Sequence, residues 1–212
     1  MATNKKLWLS AILIQLLVCY AGCKECDNAH YAFSISNKIY PDKDSIHVGD
    51  SIWIQVDAPT HLVEQGTNAE VDYSGAQNLG TAIQFLKLGN GTVQIPNVQP
   101  AGASFKTYLL IGDSVPEPNL NYAKEIKNIR FREVNGRYLM KVAFIAKDTG
   151  NFMIAPSNSA NVYRQNGGCT LADFAIPITD TDQHFYIYQE TRPGYEITGL
   201  ERTNCYYVRV KL

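Results

Sequence analysis

Four histidines, His30, His47, His61 and His184, are the side chains here best suited to general-base or metal chemistry. They are scattered, with no H-x-x-x-H or H-x-H pair to set two imidazoles on one face of a helix or strand. Asp180-Thr181-Asp182 stands beside His184 and could add carboxylate oxygens to an imidazole. Calcium takes six or more oxygens, and so short a run supplies too few alone; it reads as a solvated polar turn. No Gly-x-Ser-x-Gly elbow and no phosphate-binding loop is present. No metal and no cofactor is therefore expected. The better candidates for binding are the tyrosines near the C-terminus: Tyr186, Tyr188, Tyr195, Tyr206 and Tyr207. Two or three of them sharing an exposed sheet face would stack on a sugar ring or anchor a protein partner. The other reading of the same rings, and the more ordinary one, is that they cover an outer face or fill a core.

Gly49-Asp50-Ser51 and Gly112-Asp113-Ser114 resemble the Gly-Asp-Ser block of a lipase/esterase family. That family also needs an Asp-x-x-His block near the C-terminus. Here Thr181 stands three places before His184, and the alternation of strands and helices is missing. Gly-Asp-Ser is also ordinary turn chemistry. No catalytic residue is assigned, and a hydrolase assembled from distant residues is the remotest of the readings. Asp44-Ser45-Ile46, Asp50-Ser51-Ile52 and Asp113-Ser114-Val115 resemble the Asp-Ser/Thr-aliphatic sites that Bacteroidetes O-glycosylate. The same tripeptides mark a turn leading into a strand.

The N-terminus gives an address. Lys5 and Lys6 precede a short apolar run from Leu7 to Tyr20, and Ala21-Gly22 follow. A basic start, an apolar stretch too short for an ordinary membrane span and a small-residue exit make a secretory signal peptide over residues 1–22. Ala21-Gly22-Cys23 resembles a bacterial lipobox, although Tyr20 replaces the usual Leu. The resemblance implies cleavage before Cys23 and lipidation of its thiol. The alternative is cleavage after Ala21, leaving a soluble secreted protein. Lys24-Glu25-Cys26-Asp27 is similar to the export tags of Bacteroidetes surface lipoproteins, and residues 23–30 read as a tether.

Removing residues 1–22 takes two of the 19 basic residues and none of the 20 acidic ones, so the remainder carries three more acids than bases. No basic block stands out, and no nucleic-acid partner is expected. Of the cysteines, Cys169 and Cys205 are the expected disulfide. Closing a loop of about 35 residues would be worth roughly 3–4 kcal/mol in the chain-entropy model. Cys23-x-x-Cys26 lacks a second pair at zinc spacing.

These residues need a scaffold, and the chain spells one in strands. Residues 129–134 and 137–146 flank Asn135-Gly136, the strongest short hairpin signal. Residues 31–36, 45–56, 81–88, 92–95, 105–111, 173–179, 183–189 and 205–212 also read as strands. Gly49-Asp50 suggests a bulge or tight bend within 45–56, and Pro177 suggests an edge strand. Trp53 faces opposite to Ile52 and Ile54, as a covered outer residue or as an exposed platform. Residues 60–79 and 157–168 read as long loops, 112–121 as a connection, and 122–127 as a single helical turn.

The Asp148-x-Gly150-x-Phe152 corner resembles the Asp-x-Gly-x-Tyr corner of immunoglobulin-like sandwiches, with Phe in place of Tyr. The fold expected over residues 31–212 is thus all-β: a two-sheet antiparallel sandwich, immunoglobulin-like, with about nine or ten strands and long loops. Together the Cys23 lipobox, Val48-Gly-Asp-Ser-Ile-Trp-Ile54, the 148–152 corner and the tail from Gln183-His-Phe-Tyr-Ile-Tyr188 to Cys205-Tyr-Tyr resemble uncharacterised lipoproteins of Bacteroidetes. That resemblance implies a protein lipid-anchored to the cell envelope, at the outer membrane, and supplies no activity. The expected function is a non-enzymatic binding or structural module that presents loops or an aromatic face to a protein or glycan partner.

Overall fold

From Ile52 to Val56 every second residue is buried, and Ile52, Ile54 and Val56 enter the core while Trp53 and Gln55 point outward. A strand turns successive side chains to opposite faces, so this alternation alone fixes which face meets the core. The computed structural model describes residues 30–89, 98–119, 121–164, 171–179, 181–191 and 204–212. The segment read as a signal peptide, Cys23, Cys26, the strand expected at 92–95, Cys169, Asp180 and Tyr195 lie outside the described residues.

The first half of the chain forms β1 (His30–Ser34), β2 (Asn37–Tyr40), β3 (Ser45–His47), β4 (Ser51–Pro59), β5 (His61–Val63), β6 (Glu70–Asp72), β7 (Ala76–Gln77), β8 (Gly80–Leu88), β9 (Val98–Pro100) and β10 (Phe105–Ile111). Then follow β11 (Asp113–Val115), β12 (Ile126–Arg130), β13 (Arg132–Val134), β14 (Arg137–Ala146), β15 (Gly150–Pro156), β16 (Ser159–Arg164), β17 (Leu171–Ala175), β18 (Ile178–Thr179), the helix α1 (Tyr186–Thr191) and β19 (Tyr206–Lys211). The molecule is all-β, with 62% strand and 7% helix, and none of its sheets closes.

A six-stranded sheet runs β10-β14-β4-β2-β18, with β13 on β14; a seven-stranded sheet runs β11-β12-β8-β15-β19-β3, with β9 on β8. Aromatic rings lock these two together. Phe85 of β8 meets Phe144 of β14 at 4.7 Å, and Phe105 of β10 meets Phe152 of β15 at 5.0 Å. A four-stranded sheet, β1-β17-β16-β7, and the hairpin β5-β6 complete the structure. The four-stranded sheet joins the same core through Phe33 and Phe174, which pack on Tyr73 of the β6–β7 connection.

The chain crosses between the two larger sheets repeatedly, and three of the crossings fall within stretches singled out in the sequence. At Gly49, with φ +95°, β3 of the seven-stranded sheet becomes β4 of the six-stranded one. The bend expected there is a sheet change. At Phe131 the run 129–134 divides into β12 and β13, which belong to different sheets. At Gly150, φ +143°, β14 gives way to β15, so the Asp148-x-Gly150-x-Phe152 corner does pass from sheet to sheet. Between these, Asn135 (φ +50°) and Gly136 (φ +71°) make the expected tight turn of β13–β14, both in the left-handed region it requires.

Several expectations need correction. The strands number nineteen among the described residues, because turns cut the longer runs into short pieces. The loops expected at 60–79 and 157–168 contain β5, β6, β7 and β16. Their polar residues sit on exposed strands, where hydrophobic alternation is weak. The pairing is mixed: β1–β17, β2–β18 and β3–β19 are parallel. Residues 173–179 are not one edge strand. They break near Pro177 into β17, interior to the four-stranded sheet, and β18, an edge of the six-stranded sheet. Residues 183–189 are not a strand; they form a turn entering α1.

Candidate functional site

The C-terminal tyrosines converge, but on the interior. Tyr206 alternates inward with Val208 and Val210 and is buried in the main core. Its hydroxyl donates to Lys43 O at 2.7 Å and accepts from Lys43 N at 3.0 Å, tying the β2–β3 connection to β19. Burial pushes its pKa up to about 12. Tyr207 points to the opposite side and is buried too, in a second cluster with Leu88, Ile187, Tyr188 and Cys205. The helix explains this. Ile187, Tyr188 and Thr191 share one buried helical stripe, whereas a strand would have set Ile187 and Tyr188 on opposite faces. Short apolar runs fit both periods, and the docking of Tyr207 N on Gln183 O at 3.0 Å accompanies the helix. Of the four described tyrosines only Tyr186, 38% exposed, reaches solvent. Of the two readings of these rings, packing holds for Tyr188, Tyr206 and Tyr207, which do not form an open binding face. Cys205 is buried, and its expected partner Cys169 lies outside the described residues.

Around Tyr186 lies a polar junction. Its hydroxyl donates to Asp44 Oδ2, which raises the tyrosine's pKa and lowers the carboxylate's. The Arg209 guanidinium stands 5.6 Å from the ring and pairs with Glu190 at 2.5 Å. Gln183 and His184 both have positive φ, +56° and +52°, a rare conformation for side chains with a Cβ. His184 Nε2 lies 3.0 Å from Asp42 Oδ1, and Nδ1 lies 3.8 Å from Asp182 Oδ2. Neither ring nitrogen makes an aligned hydrogen bond, so these contacts are close but out of line. Asp42 accepts instead from Thr181 Oγ1 at 2.6 Å. Among the described residues, no three metal-ligating groups converge.

The Gly-Asp-Ser turns do structural work. Asp50 Oδ2 accepts from His47 N at 2.9 Å, closing the turn before β4. Asp113 forms an ion pair with Arg132 at 2.7 Å. A cavity of about 290 Å³ is lined by Asn78, Thr81, Asn128, Arg130, Ser157 and Asn158, without a carboxylate or histidine to act as a base.

A different surface was half visible in the sequence: the outward face of the six-stranded sheet. Register places Tyr108 opposite Ala143, Ala143 opposite Trp53, and Trp53 opposite Tyr40. One cross-strand row therefore carries three aromatic rings with a small residue between two of them. Two strand spacings, about 10 Å, separate the Trp53 and Tyr108 backbones. Tyr108 is 56% exposed and its neighbour Leu110 51%; Trp53 and Tyr40 are half-buried. The Tyr40 and Trp53 rings are parallel within 4°, with centroids 6.1 Å apart. Lys141 Nζ stands over both, 5.3 Å from the Trp53 centroid and 5.8 Å from that of Tyr40. Tyr40 Oη donates to Gln55 Oε1 at 3.4 Å.

Trp53 is thus half-covered, stacked with Tyr40 and overlain by the Lys141 ammonium, so each of its two alternatives holds in part. The signal that could have found the row was the odd-numbered aromatic and long side chains of 51–57 and 137–145, opposite in phase to the core residues. Nothing in the sequence paired Tyr40 or Tyr108 with Trp53. No family model, curated protein or solved structure matches the chain.

Proposed function

We propose that this chain is an exported, lipid-anchored module of the cell envelope that binds glycans on the outward face of its six-stranded sheet. The observation that carries the reading is the Tyr108–Ala143–Trp53–Tyr40 row. Pyranose rings present an apolar C–H face and a rim of hydroxyls. Parallel aromatic rings suit the first, and Gln55 and Lys141 beside them suit the second. A strand scaffold holds the rings at fixed spacing, so little ordering cost falls on binding.

The anchor rests on the resemblance of Ala21-Gly22-Cys23 to a lipobox and on the segment before it. The immunoglobulin-like version of the sandwich rests on the sheet-switching 148–152 corner, where Phe152 is buried in place of the usual Tyr.

Two measurements test the proposal. The mass of the mature N-terminus from the native host should show acylated Cys23, and Cys23→Ala should release the protein from membranes; an unmodified N-terminus at Gly22 sinks the anchor. Trp53→Ala should abolish retention on polysaccharide columns while the fold survives. Undiminished retention by that variant would remove the face from consideration.

A further inference from the structure

The outward face is not electrically neutral. Lys38, Lys106 and Lys141 project from it, with Arg132 and Arg137 at one end. The one carboxylate that its strands project is Asp57, and Arg137 holds it at 2.5 Å. Arg132 is likewise occupied, by Asp113 of the other sheet. The two arginines are thereby compensated within the protein, whereas Lys141 is set against rings.

That placement of Lys141 decides what the face accepts. A pyranose that stacks on Trp53 and Tyr40 from the side of the ammonium must move Nζ off both ring faces, forfeiting a cation–π contact with each. A neutral sugar gives the ammonium hydroxyls in exchange. A sugar acid gives it a carboxylate at the rim of the same ring, within reach of the flexible lysine stem. The exchange favours the acid, and Lys106, next to Tyr108 on β10, lies where a following residue of the same chain would run.

We propose that the face selects acidic glycans, chains containing uronic acids, with Trp53 and Tyr40 as the stacking platform and Lys141 as the group that discriminates acid from neutral sugar. This rests on the glycan-binding reading above and adds its ligand class.

The test is calorimetric titration of the purified full chain with three probes: oligogalacturonate hexamers, cellohexaose and polyglutamate. Wild type, Lys141→Gln and Trp53→Ala are compared at low and at physiological salt, with thermal unfolding as the check on folding. Oligogalacturonate should bind more tightly than cellohexaose. Lys141→Gln should cut that preference about fivefold, the upper range for one exposed ion pair, and should flatten the salt dependence. Trp53→Ala should lose both sugars. Equal or tighter binding of cellohexaose overturns the acidic selectivity and leaves the glycan reading in place. Polyglutamate binding as tightly as oligogalacturonate means charge alone is read, and overturns the proposal. Binding of neither sugar by folded wild-type protein overturns both readings.

Discussion

The two faces of the six-stranded sheet are made by the same strands, often by adjacent residues, and they do opposite things. Inward go Ile52, Ile54, Val56, Tyr138, Met140, Val142 and Phe144, all buried in one continuous core. Outward go Trp53, Gln55, Leu139 and Lys141, together with Tyr108 of β10. Both sets contain large aromatics, so hydrophobicity alone does not separate them. Phase does: a strand flips faces at each residue, and Gly49 before β4 and the Asn135-Gly136 turn before β14 set where each phase begins. Inward rings meet rings of another sheet, as Phe144 meets Phe85. The outward rings of Tyr40 and Trp53 stack on each other within their own sheet, under a lysine.

The largest expected effect is therefore inward. Phe144→Ala should cost about 3–5 kcal/mol in urea unfolding, because it empties the contact between the two sheets. A cost under about 1 kcal/mol would break the comparison, since that contact would then not bind the sheets together. Next comes a polar lock on the same face. Tyr138 Oη donates to Tyr73 O and accepts from Ala76 N at 3.3 Å, and burial pushes its pKa upward. Tyr138→Phe removes both of these hydrogen bonds and should cost about 1–2 kcal/mol by the same assay. An unchanged midpoint would mean that water takes the hydroxyl's place.

Outward, Trp53→Ala removes a cross-strand pair and should lower stability by only about 1 kcal/mol or less while abolishing glycan binding. A large loss of stability with no binding phenotype in wild type would make the row packing rather than a platform.

The smallest effect concerns a buried charge. Glu64 receives Thr67 N at 2.5 Å, Thr67 Oγ1 at 2.8 Å and Ala32 N at 3.4 Å. Hydrogen bonds, first from Gly66 N and then from Thr67, lower its pKa from 4.5 to about 2. A depressed folded-state pKa stabilises above the unfolded value and is lost on acidification. Wild-type stability should thus fall as pH drops from about 4.5 toward about 2, and Glu64→Gln should flatten the profile across that window. Parallel profiles would show that the carboxylate is not what the β5–β6 turn depends on.

Much of the scaffold was legible because it is written locally. The Asn135-Gly136 turn, the 148–152 corner and the strands at 81–88, 105–111 and 205–212 follow from turn chemistry and period-two alternation, which neighbours alone specify. The strand expected at 183–189 was misread for the same reason. The alternation of 183–189 satisfies a strand as well as the short helix, and burial on both sides of β19 leaves Tyr206 and Tyr207 equally apolar in setting. The loop expected at 60–79 was misread because β5 and β6 are short and mostly exposed.

By itself, then, the sequence determined the all-β character, the places where the chain turns, and the side of β4 and β14 that is core. Each depends on residues adjacent in the chain. Only the tertiary structure decided which strands lie side by side. Tyr40, Trp53, Ala143 and Tyr108 come from four strands, and their row exists because pairing register, set by distant contacts in a shared core, places them at one level.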